Sequence, residues 1–150
     1  MNLRPAQFGT ATTIVLAGLA GGFAEMLWVT IYGALSPVSA AAMAREVTAS
    51  VFPGAASAPG GLALGIGIHL TLSIALAFAF FALLRNFLHG DTGIIVIAVG
   101  ALVALWAFNF LVLLPVVNPR FPTLMPSAVT LLSKALFGAA MGTTLAKLRL

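Results

Sequence analysis

Residues 10–35, TATTIVLAGLAGGFAEMLWVTIYGAL, form an apolar run that is long enough to cross a membrane as one helix. A helix needs about 20 predominantly apolar residues to span a hydrocarbon core of about 30 Å. The run follows Arg4, and its residues 22–24 (GFA) resemble the cleavage site of a signal peptide. Because apolar residues continue beyond that site through Trp28 and Ile31, we interpret the run as an uncleaved first membrane span.

Three further apolar runs follow the first, at about 60–84, 92–115 and 124–146. Hydrophobic residues make up 61% of the 150-residue chain and charged residues 7%, whereas about 25% of the residues in a soluble domain are charged. The four runs leave almost no sequence for a soluble domain. The sequence therefore predicts an all-α membrane protein, a four-transmembrane-helix bundle that forms one integral membrane domain over residues 1–150.

The segment between the first two runs predicts a short additional helix. Residues 37–50, PVSAAAMAREVTAS, are rich in alanine, and Ser36 with Pro37 resembles an N-cap followed by proline in the first turn. This helix is expected either to lie at the membrane interface or to cap the mouth of the bundle. Proline and glycine in residues 51–61, VFPGAASAPGG, then predict a loop before the second span.

The other two connections are short or rich in proline. Residues 85–91, RNFLHGD, predict that spans two and three form an antiparallel hairpin. Residues 114–126, LPVVNPRFPTLMP, contain four prolines, each of which lacks a backbone N–H and has a restricted φ. We expect this second segment to form a stiff strap between spans three and four.

The basic residues predict the orientation of the chain. They are scattered singly at the ends of the spans, which is unlike the clustered basic face of a nucleic-acid-binding protein. Because Lys and Arg are enriched in cytoplasmic loops, we expect both termini to lie in the cytoplasm and the protein to lie in the inner (plasma) membrane. The side of the termini carries Arg4, Arg85, Lys147 and Arg149, and the opposite side carries Arg45 and Arg120.

Each span contains one strongly polar residue, and the four are predicted to lie at similar depths. At a rise of about 1.5 Å per residue, each is roughly 12–17 residues from the cytoplasmic end of its span. All four therefore fall within a thin slab of the bilayer. They are Glu25 in span one, His69 in span two, Asn109 in span three and Lys134 in span four.

Small residues accompany three of these four side chains on the same helical face. Small residues spaced four apart mark faces where membrane helices approach closely, so these faces are predicted to meet neighbouring helices. Asn109 lies nearly opposite the face of Gly100 and Ala104 and is expected to point at another subunit. The predicted packing glycines are Gly18 and Gly22 beside Glu25, Gly61 and Gly65 beside His69, and Gly138 and Gly142 beside Lys134.

Glu25 and Lys134 have opposite charges at similar depths, which predicts an ion pair. An unpaired charge at the bilayer centre costs at least about 2.5–3.5 kcal/mol on insertion scales. His69 is expected to donate to Glu25 or to lie between the two charges. The cluster is then either a structural pair, with His69 and Asn109 as hydrogen-bonding supports, or a site near the midplane for an ion, a proton or a small substrate.

The sequence contains none of the enzyme motifs that we sought. It has no nucleophile elbow, no phosphate-binding loop and no HExxH, so we expect a non-enzymatic protein without catalytic residues. The absence of cysteine excludes disulfides and thiolate ligands, and one Glu with one His is too small a set for zinc. No cofactor is predicted, although a haem held by His69, with Met26 as its second ligand, is an alternative.

These observations favour a small subunit or accessory component of a larger membrane assembly. The chain is short, lacks a soluble domain and has few loop residues. The first alternative is a small oligomeric channel or an ion- or proton-coupled transporter that uses Glu25, His69 and Lys134. The second is a haem-binding membrane subunit. The expected partners are the lipid bilayer and either other membrane subunits or further copies of this chain.

Overall fold

The computed structural model describes residues 9–148, and the secondary structure of this part is helical without strands. Arg4 and Arg149, which contribute to the predicted orientation, lie outside these described residues. Four helical stretches are long and apolar enough to cross a membrane, which confirms the predicted fold class. The six α-helices are α1 (Thr10–Ala34), α2 (Ala40–Val51), α3 (Gly61–Leu84), α4 (Asp91–Phe108), α5 (Leu114–Val117) and α6 (Ser127–Lys147).

The four long helices form an arc with α1 and α6 in its middle. The helix α3 packs against α1, and α4 packs against α6. The helices α3 and α4 are not a close-packed pair, although only residues 85–90 connect them. The predicted hairpin of spans two and three therefore exists as a tight connection whose two arms pack mainly against other helices.

Glycines decide which helices pack closely. A Cβ added at Gly138 would lie 2.7 Å from Val99 Cα, and one added at Gly142 would lie 2.8 Å from Ile95 Cα. Only a residue without a side chain allows α6 to approach α4 this closely. Gly18 likewise allows α1 to approach α3, because a Cβ at Gly18 would lie 2.7 Å from Ile74 Cα. The glycines of α6 thus allow α4 to pack closely against α6, whereas α4 does not pack closely against α3.

A continuous apolar core fills the end of the bundle that contains the 85–90 connection and the end of α6. Bulky side chains of α3 and α4, such as Phe80 and Leu102, occupy the space between the helices there. Among residues 9–148, buried side chains of all four long helices thus meet at this end. Its buried members are Ile14, Ala17, Ala77, Phe80, Ala98, Leu102, Phe137, Met141 and Leu145.

The short helix α2 begins later than its sequence predicts. Ser39 is its N-cap, and Ser39 Oγ accepts a hydrogen bond of 3.2 Å from the Ala42 N–H. The predicted N-cap at Ser36 is wrong because the Ser36 hydroxyl donates to the Val38 carbonyl at 3.0 Å instead. The residues that follow Pro37 therefore form a turn before the helix starts.

The helix α2 is fastened to the start of α3. Thr48 Oγ1 donates to the Gly61 carbonyl at 2.6 Å, and a Cβ at Gly65 would overlap the Ala44 carbonyl. The Arg45 guanidinium donates to the carbonyls of Ala56 and Ala58, at 2.7 and 3.0 Å, in the loop that joins the two helices. Two placements were predicted for this helix, at the membrane interface or as a cap on the mouth of the bundle. These contacts favour the second placement.

Candidate functional site

Glu25 is buried in the middle of α1 and faces α6. Its residue surface is 8% exposed, and Lys134 Nζ lies 2.6 Å from each of its two carboxylate oxygens. Ser133 Oγ is 3.2 Å from Glu25 Oε1 and 2.7 Å from the Thr130 carbonyl. Because a hydroxyl has one proton, Ser133 donates to only one of these acceptors at a time. The structure thus places the two opposite charges within ion-pair distance.

The Lys134 ammonium also lies near an aromatic ring. Nζ is 5.8 Å from the centroid of the Phe137 ring, within the range of about 6 Å at which a cation is attracted to the ring face. Lys134 and Phe137 are neighbours on α6 because residues three positions apart share a helical face. The same ring fills the space above Gly21 of α1, where a Cβ would lie 2.6 Å from it.

His69 bonds to the backbone of α1 and not to the Glu25 carboxylate. His69 Nε2 lies 3.3 Å from the Gly22 carbonyl, to which it donates when Nε2 carries the proton. The contact is possible because Gly22 has no side chain to cover its backbone, and a Cβ there would lie 2.7 Å from Ser73 Oγ. The His69 carbonyl in turn accepts a hydrogen bond of 2.7 Å from Ser73 Oγ.

Asn109 lies on the inner face of α4, so the assumption that Gly100 and Ala104 mark that face is wrong. That Asn109 points at another subunit stays a prediction. Gly100 and Ala104, whose face we assumed to meet the neighbouring helices, are exposed. The inner face contains Ala98 and Leu102. Asn109 follows these residues by 11 and 7 positions, close to whole turns of about 3.6 residues, and so shares their face. No side-chain hydrogen bond among residues 9–148 involves the Asn109 amide.

A wide helical turn begins at Asn109. Residues 109–113 form a π-helical segment in which the Leu114 N–H donates to the Asn109 carbonyl, five residues earlier. Pro115 explains the distortion because it has no N–H to continue the α-helical pattern and its ring crowds the preceding turn. Such π turns are frequent at functional sites.

The four predicted polar residues line one cavity of about 690 Å³. Its volume falls within the range of about 300–1,000 Å³ that is typical of small-molecule sites. Most of its walls are apolar, with contributions from all six helices. We call five polar residues of the lining the polar floor and define it as Glu25, His69, Asn109, Ser133 and Lys134; Thr30, Ser50, Ser73 and Thr130 are further polar lining residues.

The cavity is closed on one side and open on another. The apolar core closes it beyond Phe137 and Leu76, which line its lower end. Three of its lining residues are strongly exposed on the two helical stretches that do not pack together: Leu72 of α3 at 57%, Leu113 of the π segment at 43% and Val117 of α5 at 50%. The cavity therefore opens sideways between α3 and α4, past apolar side chains.

The helix α2 is tied to the strap over the opposite end of the cavity. The Glu46 carboxylate lies 3.2 Å from Arg120 Nε and accepts a hydrogen bond of 3.1 Å from Asn118 Nδ2. Asn118 Nδ2 also lies 3.1 Å from Ser50 Oγ. We call these residues the latch: Glu46, Ser50, Asn118 and Arg120.

Two tryptophans hold the beginning of α6. Trp28 Nε1 of α1 donates to the Val129 carbonyl at 3.1 Å, and Trp106 Nε1 of α4 donates to Thr130 Oγ1 at 2.9 Å. The helix that carries Ser133 and Lys134 is therefore fixed from both neighbouring helices. This positions the ammonium group opposite Glu25.

The latch, Ser133 and the two tryptophans are site residues that were not predicted from the sequence. A signal for the latch was present, because Glu46 and Arg120 are opposite charges on the same predicted side of the membrane. Ser133 directly precedes Lys134 in the sequence. Nothing in the sequence pattern indicates that the tryptophan side chains meet α6.

The described residues contain no group of three or more His, Asp or Glu side chains that could hold a metal ion. Met26 and His69, the proposed axial ligands of a haem, both line the cavity. However, His69 Nε2 faces the Gly22 carbonyl, so iron binding through that nitrogen requires the bond to break. The geometry gives the haem hypothesis no additional support.

Comparison of the chain with protein-family models, with curated proteins and with solved structures gave no match.

Proposed function

We propose that this protein is a non-enzymatic integral membrane protein that binds a small molecule inside the bilayer and acts as a small carrier. One observation supports the proposal most directly: a polar side chain from each of the four spans lines the same cavity. Ionisable residues inside membranes commonly mark substrate or ion pathways. Apolar walls around a few convergent polar groups are also typical of small-molecule sites.

The shape of the cavity favours a carrier over an open ion channel. A channel requires a continuous pathway, whereas here the side chains of Phe137, Leu102 and Phe80 close the bundle on one side of the polar floor. A carrier exposes its site to one side at a time. The arrangement corresponds to one such state, with the site reached from the gap between α3 and α4 while α2 covers the other end.

The proposed orientation places the closed end of the bundle in the cytoplasm. Arg85 and Lys147 lie at the closed end, and Arg45 and Arg120 lie at the α2 end. With the basic residues at the termini, the distribution agrees with cytoplasmic termini in the inner membrane. A reporter that functions only outside the cytoplasm, fused at residue 150, is expected to be inactive. Its activity would reverse the orientation.

A cavity-filling variant tests the binding function. The chain is purified in mild detergent, and small molecules that accompany it are extracted and quantified by mass spectrometry. We expect about one bound molecule per chain in the natural protein, and a large loss in Val47→Phe, whose side chain lines the cavity. The matched control is Val96→Phe on the exposed surface of α4. Equal retention by both variants, or no bound molecule at all, would contradict the proposal.

A second candidate function is that of a subunit in a larger assembly. The specific observation in its favour is the open arc, because a helix of another protein can complete it between α3 and α4. Native mass spectrometry in mild detergent separates the candidates. A defined partner at fixed stoichiometry supports the subunit, and a monomer or homo-oligomer with bound small molecule supports the carrier. A stoichiometric haem spectrum that His69→Ala abolishes would instead support the haem-binding subunit.

A further inference from the structure

The charged groups of the cavity cancel one another. Glu25 and Lys134 are the two oppositely charged side chains in its lining, and their charged atoms are 2.6 Å apart. Glu46 and Arg120 pair with each other outside the lining. A charged ligand has no countercharge to meet in this cavity unless it breaks the Glu25–Lys134 pair, which would leave one buried charge uncompensated. The charge balance therefore selects for an uncharged ligand.

The polar floor still offers hydrogen bonds that the protein itself does not use. The Asn109 amide, which lines the cavity, has both donors and an acceptor. None of the side-chain hydrogen bonds among residues 9–148 involves it. When His69 Nε2–H donates to the Gly22 carbonyl, His69 Nδ1 is left as an acceptor. A hydroxyl group both donates and accepts a hydrogen bond, so it can bind to either of these two lining side chains.

The sideways opening faces the hydrocarbon of the bilayer. Leu72 is about 16 Å along α3 from Gly61, near the middle of a helix about 36 Å long. The exposed lining residues beside the gap, Leu72, Leu113 and Val117, are all apolar. A molecule that passes between them comes from the membrane interior, where an ion is costly and an apolar chain is soluble.

On the basis of the binding function above, we propose that the ligand is an uncharged amphiphile with a hydroxyl head and an apolar chain, which enters from the bilayer between α3 and α4. The hydroxyl head binds at Asn109 and His69. The apolar chain lies along the walls toward Leu72 and Leu113. The Glu25–Lys134 pair stays intact and excludes competing fatty-acid anions, because a carboxylate would compete with Glu25 for Lys134.

Three brominated probes of equal chain length test this ligand class: 11-bromoundecan-1-ol, 11-bromoundecanoate and 1-bromoundecane. They are added to the full chain in phosphatidylcholine nanodiscs at alkaline pH. The readout is tryptophan fluorescence, because Trp106 stacks on the cavity residue Phe110 with ring centroids 5.9 Å apart. A probe dissolved only in lipid quenches without saturation, whereas a probe in the cavity quenches saturably.

We expect the alcohol to half-saturate at a concentration about tenfold lower than the other two probes, corresponding to about one net hydrogen bond. Asn109→Leu should remove most of the difference between the alcohol and the bromoalkane, while Asn86→Leu in the 85–90 connection should leave it unchanged. Val47→Phe should abolish saturation and Val96→Phe should not. The alcohol–carboxylate comparison uses the natural chain, so it stands even where a variant fails to fold.

Two other outcomes would contradict the ligand class alone or the ligand class together with the binding function. Tighter saturable binding of the carboxylate refutes the ligand class but leaves the binding function intact. Absence of saturation with every probe, in a chain that also purifies without a bound molecule, refutes both. The chain has no natural cysteine, so Leu72→Cys and Leu113→Cys can be combined for cross-linking. Near-complete cross-linking between two chains would assign the gap to a second copy of the protein.

Discussion

The two ends of the bundle are made from the same four long helices, but one end is solid and the other is hollow. In the solid end, buried apolar side chains from all four helices form a continuous core. In the hollow end, the helices enclose a cavity of about 690 Å³ that α2 covers. The difference teaches that, in this protein, helix packing is decided locally and not along whole spans.

Small residues explain the solid end. Lipid chains are as apolar as leucine, so membrane helices gain little from simply excluding lipid and depend on close fit. Gly138 and Gly142 provide that fit between α6 and α4, and Gly18 provides it between α1 and α3. In the hollow end, Gly65 of α3 packs against α2 and not against another membrane-spanning helix.

The π turn explains why α4 does not close the hollow end. From Asn109 onward the helix is wider, and Pro115 removes one backbone donor. The side chains of this segment line the cavity as Phe110, Leu113 and Leu114 without meeting α3 closely. The Glu25–Lys134 pair lies at the boundary between the two ends, where the core stops and the cavity begins.

The largest expected effect comes from removing one charge at that boundary. Glu25→Gln and Lys134→Met should each lower the free energy of unfolding by about 3–5 kcal/mol, because each leaves the other charge buried without a partner. The double variant should cost much less, since no orphan charge is present. The free energy of unfolding in mixed detergent–SDS micelles measures all three. A double variant as unstable as the sum of the single variants would show that the two charges are not coupled.

The same cycle distinguishes a structural pair from a functional one. If the double variant recovers both folding and small-molecule binding, the pair acts as a structural element. If it recovers folding but binds carboxylates as well as alcohols, the pair acts in ligand selection.

A leucine comparison tests whether the two ends differ in packing. Leu102 is 1% exposed in the solid core, and Leu113 is 43% exposed beside the cavity. Leu102→Ala should lower the free energy of unfolding by about 2–5 kcal/mol, because it leaves a void in a packed region. Leu113→Ala, the matched control on the same helical stretch, should change it by less than about 1 kcal/mol. Equal losses would mean that the hollow end is packed in the membrane.

A glycine comparison tests the close approach of α4 and α6. Gly138→Ala places a methyl group 2.7 Å from Val99 Cα, so α6 must move away from α4. We expect the free energy of unfolding to fall by about 1–3 kcal/mol, as for other overpacked interiors. The control, Gly100→Ala, adds its methyl group where no atom lies within 4 Å. It should be neutral or slightly stabilising, and a loss at this position would indicate an unseen packing partner.

The smallest effect on stability is expected at the latch. Arg120→Ala removes an ion pair whose arginine side chain is 76% exposed, so the free energy of unfolding should fall by no more than about 1 kcal/mol. Release of α2 should nevertheless speed the labelling of Val47→Cys by a water-soluble maleimide. Arg85→Ala, which removes an arginine without an ion pair in residues 9–148, is the control. An unchanged labelling rate would show that the latch does not hold α2 over the cavity.

The membrane fold could be predicted because its signal is long and apolar. Each span exceeds the length that a bilayer demands, so the four helices required no knowledge of packing. Depth could also be counted, and this count brought Glu25 and Lys134 together as candidate partners. Span length and depth are both counted in residues along a single helix. An error of several residues in such a count does not change the prediction.

Facing direction was harder to predict because it depends on which helices meet. Gly100 and Ala104 resemble a packing face, yet they are exposed, and the inner face is instead that of Ala98 and Leu102. The helical face of Asn109 was assigned wrongly for this reason. The cavity and the latch depend on the distortion at Pro115 and on where α2 packs, and neither follows from periodicity in a single helix.

The Glu25–Lys134 pair also imposes an order of events during synthesis. Glu25 enters the membrane with the first helix, whereas Lys134 lies 109 residues later in the chain. At about 5–20 residues per second, the countercharge is made roughly 5–20 s after the acid. A nascent chain interrupted before its last helix therefore carries an unmatched acid within its first. Charge balance in the membrane is reached only after α6 has joined α1.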